Sequence, residues 1–86
     1  MTQRDLTDRL VGAIGAEPRI HSRTPPADWK PGDRLSADLG LDSVGMLYLV
    51  LAIEDAFGVE VDDAEALSEH FGTWGEVLAY VEGLLA

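Results

Sequence analysis

Three groups of side chains in this 86-residue chain could do chemistry: the Ser43 hydroxyl within Asp38-Leu39-Gly40-Leu41-Asp42-Ser43-Val44, the imidazoles of His21 and His70, and the carboxylates of Asp62-Asp63-Ala64-Glu65. Ser43 stands where a Pro-rich stretch gives way to a long apolar run. At a helix start, unpaired backbone N–H groups and the positive end of the macrodipole favour an anionic group such as a phosphodiester. The competing reading is that Asp42 and Ser43 form a helix cap and nothing more. Ser43 is badly equipped as a nucleophile. A Gly-x-Ser-x-Gly elbow needs glycine two residues earlier, where Leu41 stands, and neither histidine lies in a strand-turn-helix context. Both histidines read as surface or loop residues, so Ser43 is expected to be acted upon by another enzyme.

Metal binding is weaker still. Asp38, Gly40 and Asp42 mimic the first spacings of an EF-hand loop, but position six is Ser43 instead of Gly and position twelve is Leu49 instead of Glu. The Asp62-Asp63-Glu65 cluster reads as a solvated helix start. No metal site is expected.

The elements that must position Ser43 follow from periodicity and breakers. Leu6, Leu10, Val11 and Ile14 form one helical stripe between about Thr2 and Ala16. From Glu17 to Asp42 the chain carries Pro18, Pro25, Pro26, Pro31, Gly32 and Gly40, which excludes a continuous helix. Connections longer than about 12–15 residues are usually functional or disordered, yet Ile20, Trp29, Leu35, Leu39 and Leu41 should pin this one, with Trp29 as a packing anchor. A second helix is expected over Ser43–Phe57, ending at Gly58. A short third should start at the acidic cluster and end near His70. A fourth runs from Trp74 to Ala86, with Val77, Leu78, Val81, Leu84 and Leu85 as its stripe and Thr73 with Glu76 as a capping box. The fold class is therefore all-α: a four-helix bundle with a long first loop and a short third helix, one domain over residues 1–86.

Composition narrows the function. A chain this size builds one modest core, too little for most catalytic folds. It has no cysteine, so disulfides and thiolate metal sites are ruled out and any thiol must come from an added group. No apolar run approaches the ~20 residues of a membrane span, and Met-Thr-Gln-Arg-Asp opens no apolar signal segment. The chain is expected to be a cytoplasmic monomer. Its net charge of −10 is segregated. Up to Leu41, Asp5, Asp8, Glu17, Asp28, Asp33 and Asp38 cancel Arg4, Arg9, Arg19, Arg23, Lys30 and Arg34. From Asp42 onward there are ten acids and neither Lys nor Arg. That argues against nucleic acid or anionic membrane and favours proteins with basic patches.

Asp-Leu-Gly-Leu-Asp-Ser-Val, with Leu47, Leu49, Val50, Ile53, Glu54 and the closing Phe57-Gly58-Val59, resembles the modification-site region of the acyl carrier proteins. The motif-level match covers residues 38–59. The resemblance implies that Ser43 is esterified by 4′-phosphopantetheine, whose thiol holds acyl groups as thioesters. It also implies a phosphopantetheinyl transferase that supplies base and Mg²⁺, and acyl-loading, ketosynthase or other acyl-processing partners with basic docking patches. Val44 replaces the family's usual Leu, and Gly45 and Tyr48 stand where many members carry acids. Those departures point to a dedicated, polyketide-like pathway more than to housekeeping fatty acid synthesis.

The second helix is apolar nearly all round, more than one core-facing stripe requires. With Leu49, Val50, Ile53 and Phe57 inward, Val44, Leu47, Tyr48 and Leu51 are candidates for an exposed docking patch, steered by Asp42, Glu54 and Asp55. Alternatively, Tyr48 and Leu51 simply cover the first loop. An interior between the second and third helices, lined by residues such as Leu47, Leu51 and Val61, could take a short apolar acyl chain. Two other functions remain: a peptidyl carrier of nonribosomal synthesis, which more often has Gly-Gly before the motif, and an unmodified acidic adaptor.

Overall fold

The computed structural model describes residues 2–86. Helix α1 spans Gln3–Gly15, where the Thr2 side chain caps the start by accepting a hydrogen bond from the Asp5 N–H at 3.1 Å. Leu6, Leu10 and Ile14 are fully buried at the spacing of one face, while Val11 packs at the core's edge. Helix α2 spans Ser43–Phe57 and ends in the left-handed Gly58, whose N–H donates to the Glu54 carbonyl. Leu49, Val50 and Ile53 carry its core face; Phe57, expected inward, is only half-buried and has the Arg9 guanidinium 5.5 Å over its ring.

Helix α3 is a single α turn, Asp63–Glu65, that widens into a π turn over Ala66–His70. Its length matches the sequence expectation and its widening does not. Asp62 caps it by accepting from the Glu65 N–H. Helix α4 spans Trp74–Leu85. The Thr73 hydroxyl accepts from the Glu76 N–H at 3.2 Å and donates to the Glu76 carboxylate at 3.3 Å. The expected stripe holds at Val77, Leu78 and Val81, which are buried, and at Leu84, packed at the core's edge; it also takes in Trp74, while Leu85 is exposed.

The long loop is built into the bundle. Leu35, Leu39 and Leu41 are buried, and Trp29 meets Trp74 edge-on with ring centroids 5.0 Å apart. The Trp29 indole N–H, which burial would otherwise orphan, donates to the Thr24 carbonyl at 2.8 Å. Backbone hydrogen bonds tie the loop to the start of α4: Leu35 N–H to Gly72, Trp74 N–H to Asp33, and Gly75 N–H to Pro31. Gly75 permits this approach, since a Cβ there would lie 3.0 Å from the Pro31 carbonyl oxygen. Arg34 and Thr73 form an isolated antiparallel bridge; among the described residues no strand is present. No buried side-chain polar atom among them lacks a partner. Nor is any helix among them long and apolar enough to cross a membrane.

Candidate functional site

The segment leading to Ser43 divides its labour residue by residue. Asp38 accepts from the Arg34 N–H at 2.8 Å and closes a local turn. Leu39 and Leu41 are buried, anchoring the chain on either side of Gly40. Gly40 has φ +75°, and the Arg23 stem lies 3.2 Å from where a Cβ would be, so conformation and space both favour glycine. Arg23 holds that corner through its N–H to the Leu39 carbonyl and its guanidinium to the Ala37 carbonyl, both at 2.9 Å.

Asp42 is the N-cap of α2, its carboxylate accepting from the Gly45 N–H at 2.7 Å. Capping is thereby satisfied one residue before Ser43. Ser43 is the first residue of the helix and exposed. The chain thus presents a hydroxyl at the positive end of a fifteen-residue helix that the cap does not need. Such a hydroxyl fits a phosphodiester, because the ester would lie in water beside backbone N–H groups.

On α2 beyond Ser43, Val44 (56 % exposed), Leu47 (45 %) and Leu51 (49 %) form an uncovered apolar row. Tyr48 is half-buried, with the Arg19 guanidinium 4.2 Å over its ring. Arg19 is itself held by Glu17 through Nε at 2.7 Å and Nη2 at 3.1 Å. That hydrogen-bonded partner pulls the Glu17 carboxyl below the usual carboxylate range and raises the Arg19 guanidinium. Asp55 is exposed. Glu54 is partly committed to the fold, since its carboxylate accepts from the Val61 N–H at 3.0 Å.

The apolar cleft lies between the second and third helices and includes Leu47, as expected, but not Leu51 or Val61. A cleft of about 280 Å³ is lined by Ser43, Met46, Leu47 and Leu67. Leu51 is not in its wall and faces solvent, and Val61 is buried in the core. Sequence reasoning missed Leu67, which lies on the π turn that begins at Ala66.

His21 is exposed on the loop, and His70 stacks on Tyr80 with centroids 4.7 Å apart. Asp62 caps α3, and the carboxylate grouping the structure brings together is instead Glu65 with Glu69 and His70, whose potential ligand atoms lie within 4.8 Å of one another.

A family model described as "Phosphopantetheine attachment site" matches residues 8–81. The acyl carrier protein of Wolinella succinogenes is 39 % identical over 57 residues, covering 66 % of this chain and 72 % of the relative. That of Helicobacter hepaticus is 42 % identical over 53 residues, covering 62 % and 67 %. The mitochondrial acyl carrier protein of Dictyostelium discoideum is 26 % identical over 83 residues, covering 94 % of this chain and 62 % of the relative, less than two thirds of its length. The group this family binds covalently is 4′-phosphopantetheine. An exposed serine freed from capping, on a bundle matched over most of its length, therefore places the chain in the acyl carrier protein family.

Proposed function

We propose that the chain carries acyl groups on a 4′-phosphopantetheine arm esterified to Ser43 and presents them to partner enzymes, catalysing nothing itself. The observation that supports this most is the cap at Asp42, which leaves the Ser43 hydroxyl exposed at the helix start. When bound, the arm supplies the thiol that this cysteine-free chain lacks. Gly40 and Arg23 shape the turn before Ser43, Asp42 fixes the helix end on which it sits, and the cleft at Met46, Leu47 and Leu67 offers apolar surface beside it.

Its partners are a phosphopantetheinyl transferase and acyl-loading, ketosynthase or other acyl-processing enzymes with basic patches. Val44, Leu47 and Leu51 supply uncovered apolar area, and Asp42, Glu54 and Asp55 supply the steering charge. Tyr48 contributes through Arg19, which puts a cation on a helix where charge is otherwise acidic. Gly45 and Tyr48, standing where many carriers have acids, favour a dedicated polyketide-like pathway over housekeeping fatty acid synthesis. Kinetics with a housekeeping synthase test the pathway: turnover as efficient as with that system's own carrier would refute it.

The test of attachment is intact-protein mass before and after incubation with coenzyme A, Mg²⁺ and a broad-specificity phosphopantetheinyl transferase. One added arm on the wild-type protein and none on Ser43→Ala is expected. A folded, unmodified protein that gains nothing would overturn the carrier reading and favour the acidic adaptor. Loading of aminoacyl but not acyl groups onto the arm would favour the peptidyl carrier.

A further inference from the structure

Ser43 lines an apolar cleft, and its chain neighbours Asp42 and Val44 line a second cleft of mixed polar and apolar character. Ser43, Met46 and Leu47 lie on one row of α2 and face the apolar cleft shared with Leu67. The adjacent row, Val44 and Tyr48, faces a second cleft of about 350 Å³ whose other walls are Arg19, His21, Gly40 and Asp42. This second cleft brings the neutral first part of the chain against the acidic part. From Asp42 to Ala86 there is no Lys or Arg, so an anion attached at Ser43 finds only like charge among its own half's ionised side chains. The cations beside it must come from the loop.

Arg19 is suited to that task because it is already ordered. Glu17 engages Nε and Nη2, and the Tyr48 ring lies beneath the guanidinium. Little rotamer entropy is left to lose when an anion arrives. The side chain is nonetheless 60 % exposed, so it is reachable. Asp42, the acid in the same cleft, is held in place by the Gly45 N–H and keeps its charge, which only Arg19 among the cleft's residues offsets.

We infer that the cleft of Arg19, His21, Gly40, Asp42, Val44 and Tyr48 is the resting seat of the phosphopantetheine arm when it carries no acyl group, the apolar cleft at Met46 and Leu67 being left for apolar cargo. The chemistries match group by group. The phosphodiester calls for a cation, which Arg19 provides. The arm's geminal methyls call for apolar surface, which Val44 provides. Its hydroxyl and amides call for polar partners, which His21 and Asp42 provide. The inference rests on attachment at Ser43.

The experiment begins with the mass measurement above and continues with ¹⁵N–¹H and NOE spectra of the unmodified and arm-bearing protein. Expected are shifts at the Arg19 Nε–H and at the His21, Gly40, Val44 and Tyr48 amides, with NOEs from the arm's methyls to Val44 and Tyr48. Compared in its arm-bearing form, Arg19→Gln should keep the Leu49 and Ile53 resonances in place yet lose those NOEs; Arg19→Lys should keep part of them. NOEs to Met46 and Leu67 in the cargo-free protein, an arm with no protein NOEs, or NOEs unchanged in Arg19→Gln would each overturn the seat while leaving attachment intact. A wild-type protein that gains no mass would overturn attachment, and this inference with it.

Discussion

The chain up to Leu41 and the chain from Asp42 onward use charge in opposite ways. In the first part acids and bases satisfy each other or local turns: Glu17 holds Arg19, Asp38 lies 3.7 Å from Arg34, and Asp33 accepts from the Lys30 N–H. In the second part, apart from Glu65, which lies 3.6 Å from the His70 imidazole, the carboxylates that bond within the fold bond to backbone N–H groups or a hydroxyl. Asp42 serves Gly45, Glu54 serves Val61, Asp62 serves Glu65 and Glu76 serves Thr73. Those bonds do not neutralise the carboxylates, so the second part keeps its negative field for partners. The two parts meet through the backbone hydrogen bonds between the loop and α4 and through apolar and cation–π contacts, with Trp29 on Trp74, Arg9 over Phe57 and Arg19 over Tyr48. The first part is thus scaffold and local counter-charge, and the second is presentation surface.

The hardest blow to that division is at the seam. Trp74 is 1 % exposed and joins the loop to α4 through Trp29. Trp74→Ala should cost about 3–5 kcal/mol, a large share of the roughly 5–15 kcal/mol a domain has. Urea unfolding followed by circular dichroism and by Trp29 fluorescence should give one coincident, lowered transition. If the loop signal were lost while the helices kept their stability, the two parts would not be one scaffold.

Gly75→Ala probes the same seam by overpacking. Helix propensity alone favours Ala over Gly by about 1 kcal/mol. The added Cβ, however, meets a backbone oxygen at 3.0 Å, and such crowding costs about 1–3 kcal/mol. The crowding should win, and thermal unfolding should show a lowered Tm; a raised Tm would mean the loop yields there freely. Asp42→Ala should cost about 1 kcal/mol, the usual worth of an N-cap, and should slow arm attachment because the helix end carrying Ser43 frays. Asp42→Asn, which can still cap, should restore the stability measured by urea unfolding. Loss of stability in Asp42→Ala with wild-type attachment rate would separate the cap from presentation.

Much of this arrangement is legible in the sequence because it depends on short-range rules. The stripe of Leu6, Leu10 and Ile14, the stop at Gly58 and the Thr73–Glu76 cap each follow from spacing within two turns. What sequence does not carry is the partner across space. In sequence Leu51 is open to two readings, exposed patch or interior lining; it is exposed, and the cleft is built from Ser43, Met46, Leu47 and Leu67, a pairing across two helices that spacing within one cannot show. Tyr48 read as either docking surface or loop cover; Arg19, twenty-nine positions earlier, decides how much of it is covered. Nothing in the local sequence marks Gly75 as a contact point; the Pro31 backbone, forty-four positions earlier, makes it one.

The subtlest contrast between the two parts is in their response to pH. Glu17, in the first, has its carboxyl lowered mainly by the hydrogen bond from Arg19. A group lowered on folding contributes stability above its unfolded value, and that contribution is lost as pH falls through the folded value. Tyr80, in the second, has its phenol raised above 10.0 by burial first and then by the charge of Glu65. The sign reverses: its contribution is present below the unfolded value and is lost as pH rises through the folded one. Acid should therefore loosen the loop from α2, visible as a shift of the Arg19 Nε–H resonance that Glu17→Gln reproduces at neutral pH. Alkali should loosen the packing of Tyr80 on His70 and Phe71, leaving the Arg19 resonance unmoved. A Tyr80→Phe protein should lose the alkaline transition only, since the ring that packs is kept while the proton is gone. Both resonance sets moving together at either extreme would show that the two parts answer to one titration, and that the boundary at Asp42 divides charge without dividing behaviour.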